Sequence, residues 1–167
     1  MSQVIHEIPP IYDTQSRVLV LGSFPSVKSR EGQFFYHHPQ NRFWKTLAAV
    51  TEQPVPQTIE EKKAFLRAQH IAVWDVIASC EIEGSSDSSI RNVVPNDLRK
   101  ILETADIRQI FCNGVTSHNL YRKYMLKETG REAVRLPSTS PANAACSLDK
   151  LVEQWSVIRE YLNESAV

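Results

Sequence analysis

The residues best suited to chemistry fall in a few short polar segments. The most varied is Phe34-Phe35-Tyr36-His37-His38-Pro39-Gln40-Asn41-Arg42-Phe43-Trp44-Lys45. Its three successive aromatics can stack on a planar heterocycle. Asn41 stands at an expected helix start, where its side-chain oxygen either caps the helix or holds a water in line for attack. His37 and His38 are solvated surface groups, metal ligands or electrostatic helpers. With no Cys or carboxylate cluster nearby, they make a weak metal site.

Three further segments carry polar groups. In Gly22-Ser23-Phe24-Pro25-Ser26 the glycine admits a tight turn and close approach of a ligand to the backbone. Pro25 fixes one dihedral and removes a donor. Taken alone, this segment also reads as an ordinary strand-to-helix turn. Leu136-Pro137-Ser138-Thr139-Ser140-Pro141-Ala142-Asn143 presents small hydroxyls and backbone amides ahead of a helix, which suits phosphate contacts or a plain Ser/Pro turn. Asp75 sits in an apolar context, Ala72-Val73-Trp74-Asp75-Val76-Ile77. A carboxylate there needs partners, and Asp87 and Arg91 in residues 85–91 are expected to supply them. Asp75 then caps loop amides or reads a ligand edge. Asn113-Gly114 offers a helix cap or a polar contact.

These segments need a frame. Val18-Leu19-Val20-Leu21, ending in Gly22, reads as a strand buried on both faces. Further strands are expected at residues 71–77, 107–112 and 133–136. Helical spacing marks residues 41–50, with Phe43, Trp44, Leu47 and Ala48. A capping box of Thr58 and Glu61 opens a helix running to about residue 69. Asp97 is expected to cap a helix bearing Leu98, Ile101 and Leu102. Another helix carries Leu120, Tyr121, Tyr124 and Met125, and a last one starts near Ser147. The alternation predicts an α/β fold, a three-layer α/β/α sandwich around a central, mostly parallel four-stranded sheet. In such sheets ligands bind beyond the carboxyl ends of the strands. That rule selects residues 22–41, 75–92, 113–118 and 137–143, which are the segments just described.

Bulk properties set the limits. A chain of 167 residues with 42% hydrophobic and 23% charged residues suits one domain spanning residues 1–167. No apolar run is long enough to span a bilayer, and the N-terminus lacks a secretory pattern. No membrane association and a cytoplasmic location are therefore the expectation. Cys80, Cys112 and Cys146 are widely spaced and read as free thiols, with no zinc or iron–sulfur pattern. The formal net charge is zero, so affinity for a polyanion cannot come from bulk charge.

Taken together, the loops resemble the uracil-DNA glycosylase superfamily over roughly residues 17–162. The carriers are Val18 to Ser26, His38-Pro39-Gln40-Asn41-Arg42-Phe43-Trp44-Lys45 and Leu136 to Asn143. The middle segment is similar to the His-Pro-x-Asn-Arg-Phe-Trp-Lys stretch of mismatch-specific uracil glycosylases. In most branches the position of Phe24 is an Asp or Asn that handles water, which Phe cannot do. Gly-Ser-Phe-Pro paired with Ser-Thr-Ser-Pro-Ala-Asn resembles the hypoxanthine-DNA glycosylase (DNA-deoxyinosine glycosylase) family, where an Asn after the first motif is catalytic. Asn41 matches it.

The resemblance implies a monomeric, cofactor-free enzyme with no metal that acts on DNA containing a deaminated base. It would flip the nucleotide out and hydrolyse the N-glycosidic bond. Asn41 would be catalytic, orienting water. Gly22, Ser23, Phe24, Pro25, Phe35, Tyr36, Asp75 and Asn113 would form the base pocket, with an aromatic from Phe34 to Tyr36 stacking on the purine. Ser26, Ser138, Thr139, Ser140, Pro141, Ala142 and Asn143 would bind DNA, residues 141–144 wedging into the vacated stack. The alternatives are a mismatch-specific uracil glycosylase and a catalytically weak module that binds damaged DNA.

Overall fold

The computed structural model describes residues 3–162. Its centre is a four-stranded parallel sheet made of β2 (Val18–Gly22), β3 (Ile71–Asp75), β6 (Gln109–Asn113) and β7 (Ala133–Leu136), ordered β3-β2-β6-β7. A second sheet is antiparallel and ordered β1-β4-β5, from β1 (Gln3–Ile5), β4 (Ile77–Glu81) and β5 (Arg91–Pro95). The sequence reading anticipated the first sheet and omitted the second.

β2, between two other strands, carries no polar side chain because both its faces are covered. Val18, Leu19, Val20 and Leu21 are all completely buried. Val18, Val20, Val73 and Phe111 feed one core, and Leu19, Leu21, Ala72, Ile110 and Cys112 feed the other. The alternation is the two-residue period of a strand. The first core is closed by α2 (Phe43–Thr51), α3 (Ile59–Ala68) and α7 (Leu148–Trp155). There Phe43, Leu47, Leu66, Leu151 and Trp155 are buried. The second is closed by α4 (Arg99–Thr104) and α5 (Val115–Tyr124), through Ile101 and Tyr121. Short helices α1 (Val27–Gly32), α6 (Leu126–Thr129) and α8 (Arg159–Leu162) complete the set.

Local signals act where expected at two helix starts. Thr58 accepts the Glu61 N–H at 3.0 Å while the Glu61 carboxylate accepts the Thr58 N–H, and Ser147 caps α7 by accepting the Lys150 N–H. Asp97 instead accepts the Arg99 N–H two residues on and pairs with the Arg99 guanidinium. The expected single strand at residues 71–77 is broken after Asp75. The Val76 and Ile77 N–H groups donate to the Gly22 and Ser23 carbonyls, and the Asn96 amide donates to the Asp75 and Ile77 carbonyls. The chain thus leaves one sheet and enters the other at Val76. Apolar continuity hid this, because Val76 and Ile77 are as buried as the strand before them.

Candidate active site

Parallel register brings the chemistry-bearing residues to one edge. Gly22 pairs with Asp75, and Asn113 pairs with Leu136. The chain crosses from β2 to β3 on one side and back to β6 on the other, so the loops after β2 and β6 diverge. The crevice they leave is where open sheets bind ligands. A cleft of about 430 Å³ occupies it, lined by residues from all four strand-end loops.

The loop after β2 supplies Gly22, Ser23, Phe24, Pro25 and Ser26 to the lining. Ser26 also caps α1, accepting the Ser29 N–H at 3.1 Å. Phe24 is half-buried, with the Arg30 guanidinium 5.6 Å from its ring centroid. Phe35 and Tyr36 follow on the wall, and Phe34 does not. Phe34 is 2% exposed and stacks on Trp44 in the core. The Tyr36 ring stacks on Phe43 with centroids 3.9 Å apart. His37 packs against Gly32 and His38 closes a turn through the Gln40 N–H. Neither histidine lines the cleft.

Asn41 is held by a chain of hydrogen bonds. Its Oδ1 accepts the Phe43 N–H at 2.9 Å and the Thr139 hydroxyl at 2.8 Å. Thr139 in turn accepts from Asn113 Nδ2 at 3.0 Å, and the Thr139 N–H donates to Asn113 Oδ1. The backbone donor at Phe43 fixes which end of the Asn41 amide is oxygen. Helix capping and placement in the cleft, separate options in the sequence, are thus combined in one side chain. The oxygen expected to hold water already accepts two donors, so the Nδ2 edge is the one left for a ligand. Thr139, expected at a DNA surface, is completely buried and acts as the link between two loops.

The loop after β7 is stiff for a segment so short of regular structure. Ser138 accepts the Ser140 N–H and Ser140 accepts the Ala142 N–H, both at 3.1 Å. Each hydroxyl keeps its own proton for an outward acceptor. Ser138, Ser140 and Ala142 line the cleft, and Asn143 lines an adjoining groove of about 900 Å³ that also holds Arg135 and Lys150. Pro141 lines neither. Arg42 clamps the loop from below, donating to the carbonyls of Ser140 at 3.2 Å, Asn143 at 3.0 Å and Cys146. Three carbonyls fanned around one planar guanidinium cannot be matched by a lysine. Both Arg42→Ala and Arg42→Lys should therefore loosen this loop. Fluorescence anisotropy should show about tenfold weaker duplex binding for each, from roughly 1.4 kcal/mol of lost preorganisation. Lysine binding like wild type would remove the clamp from the account.

Asp75 is 4% exposed and lies on the cleft floor. Its partner is not Asp87 or Arg91, as the sequence led one to expect, but His6: Nε2 lies 2.7 Å from Asp75 Oδ2. Asp87 instead sits at the rim, accepting from the Ser23 hydroxyl at 3.5 Å, and partial desolvation of its carboxyl against the loop raises its pKa from the ordinary value. Arg91 is exposed on β5. His6 is the residue the sequence reading missed, and Asp87, expected as a partner of Asp75, lines the cleft instead. Only the second sheet brings His6 to Asp75, and no local pattern announces it. Burial pushes the nearby Cys112 thiol up to about 12, which makes it a poor nucleophile. Among the described residues no three His, Cys, Asp or Glu side chains gather as a metal would require, and no helix is long and apolar enough to cross a membrane.

An aromatic-walled slot with amide and carboxylate edges, opening beside a hydroxyl-rich loop, meets the needs of a pocket for a nucleobase turned out of its stack. Residues 9–162 match the Uracil DNA glycosylase superfamily, and the chain belongs to that superfamily. It is 32% identical over 152 residues to a protein of Methanosarcina acetivorans named Hypoxanthine DNA glycosylase, covering 90% of this chain and 96% of the relative. A Methanosarcina barkeri protein of the same name is 28% identical over 137 residues, covering 81% and 85%. A solution NMR structure of a candidate uracil DNA glycosylase from M. acetivorans superposes with a TM-score of 0.80 at 31% identity, covering 93% of this chain and 97% of that one.

Proposed function

We propose that this protein is a DNA glycosylase that excises deaminated bases, hypoxanthine from deoxyinosine above all, for base excision repair. The observation that carries the reading is the Asn113–Thr139–Asn41 chain. It holds an amide edge rigidly in the cleft of a superfamily member whose first loop has Phe24 in place of a water-handling side chain. The names of the two Methanosarcina relatives support hypoxanthine as the base.

The flipped nucleotide enters between the loops after β2 and β7. Phe24, half-buried on the wall, stacks on the purine, since Phe35 is too enclosed to offer a face. Ser138 and Ser140 donate to flanking phosphates, and the strand continues along the groove past Arg135 and Lys150. Water adds to the sugar carbon as the C1′–N9 bond breaks. The bonding electron pair leaves on the base and the water proton passes to base or solvent. An amide is a poor general base, so Asn41 works by placing groups around a cationic sugar. The enzyme acts as a single-domain monomer in the cytoplasm. Its three free cysteines suit a reducing compartment.

The test is a panel of duplexes carrying inosine, uracil or xanthine, incubated with the protein and then heated in alkali. Cleavage at inosine at least tenfold faster than at uracil is expected. Cleavage only at uracil in mismatches would move the enzyme to the mismatch-specific branch. Binding without cleavage at any of the three would make it a damage-binding module.

A further inference from the structure

Two polar groups on the cleft floor, and a third buried behind them, have no role in the cleavage step. The Tyr36 hydroxyl is buried and has no hydrogen-bond partner; Asn113 approaches without bonding geometry. Burial, and then the charge of Asp75, raises the phenol well above its ordinary range, so it stays a donor. Asp75 Oδ1 is the second group. Both face the space above Gly22: a Cβ there would lie 2.3 Å from Asp75 Oδ1 and 3.0 Å from the Tyr36 oxygen. The third group is His6, whose side chain is 1% exposed. Its Nδ1 accepts the Ile8 N–H at 3.2 Å, so Nε2 carries the hydrogen that reaches Asp75 Oδ2. The rings of Phe24, Phe35 and Trp74 surround it at 6.0 to 6.5 Å.

We propose that Tyr36 O–H and Asp75 Oδ1 form a donor–acceptor pair that reads the lactam edge of the target base, and that His6 is the positioning residue that turns Asp75 to do so. The proposal rests on the reading of this cleft as a deaminated-base pocket. Hypoxanthine offers an O6 acceptor beside an N1–H donor, which complements the pair. Adenine offers an amino donor beside an N1 acceptor, which sets two acceptors against each other at Asp75. A site built this way rejects the wrong edge because buried polar groups are left unpaired. A buried hydroxyl without a partner is otherwise a net cost to the fold. His6 settles which oxygen of Asp75 is free, since Oδ2 is already taken.

Single-turnover excision from inosine duplexes tests this, with wild type as the reference. If wild type fails to excise hypoxanthine, the proposed function fails and the lactam pair is overturned with it. If wild type succeeds, the pair stands or falls separately. A duplex carrying 1-methylinosine, which lacks the N1–H, should be cleaved at least 100-fold more slowly; equal rates overturn the pair. Tyr36→Phe should slow excision about tenfold or more while leaving the Tm unchanged or raised. A lowered Tm with an unchanged rate would make the hydroxyl structural. His6→Leu should slow excision about tenfold or more, and His6→Gln, which keeps an N–H at the same reach, should restore most of it. In an Asp75→Asn background His6→Leu should change the rate less than threefold. Full additivity there, or a fall in Tm with no fall in rate, overturns the role of His6.

Discussion

Replacing Asn41 by alanine is expected to lower hypoxanthine excision by about 100-fold or more and to destabilise the protein as well. The loss in rate follows from removing an oriented polar group beside a developing charge, worth roughly 2.7–4 kcal/mol in comparable sites. The loss in stability follows from its two hydrogen bonds. Without Asn41 Oδ1, the Phe43 N–H at the start of α2 is left without an acceptor and the buried Thr139 hydroxyl loses its own. A cap alone is worth about 0.5–2 kcal/mol. Alanine therefore cannot separate chemistry from structure, and a rate loss there would prove little by itself.

Asn41→Asp does separate them. Aspartate caps as well as asparagine, and its oxygen still accepts from Phe43 and Thr139. Its stability in thermal melts should stay within about 0.5 kcal/mol of wild type, in line with the similar cap ranking of the two residues. What changes is the edge facing the ligand, where N–H donors become a charged acceptor. If that edge binds by donating, excision by Asn41→Asp falls nearly as far as for alanine while the Tm holds. If its rate instead equals or exceeds wild type, a general base suffices at this position and the donor role assigned to Nδ2 is wrong.

The frame of the site was legible because the physics that builds it is local. Four apolar runs ending in polar turns gave the sheet, and the rule that ligands bind at the carboxyl edge gave the cleft. Gly22, Asn41, Asp75, Asn113 and Ser138 all line it. Contacts between distant segments were not legible. Thr139 looked like one more surface hydroxyl, yet it is buried because Asn41 and Asn113 reach it from two other loops. His6 lies 69 positions from Asp75, just after a strand whose three residues alternate exposure too briefly to register as a pattern. The aromatic run was ambiguous for a related reason. Adjacent residues point different ways, and only packing decides that Phe34 is confined to the core while Phe35, buried in the same core, and Tyr36 also reach the wall.

Gly22→Ala is the other substitution expected to act strongly, and it acts through space rather than backbone freedom. Gly22 closes β2 in the register of a strand, and its added methyl would meet Asp75 Oδ1 at 2.3 Å. Asp75 cannot swing away cheaply, because His6 holds its other oxygen at 2.7 Å in a site almost closed to water. Overpacking of this kind costs about 1–3 kcal/mol. The larger effect falls on function, because the methyl fills the hollow between Asp75 and Tyr36 where the base edge belongs. Excision should drop at least 100-fold while duplex binding through the Ser138–Asn143 loop persists, since Arg42 holds that loop independently. Gly130→Ala is the matched control. Gly130 ends α6 at a φ of +67° with nothing within 4 Å of an added Cβ. It should cost about 1 kcal/mol of stability through conformation alone and leave excision as it was. Were Gly22→Ala to excise hypoxanthine within threefold of wild type, the hollow above Gly22 would not be where the base is read.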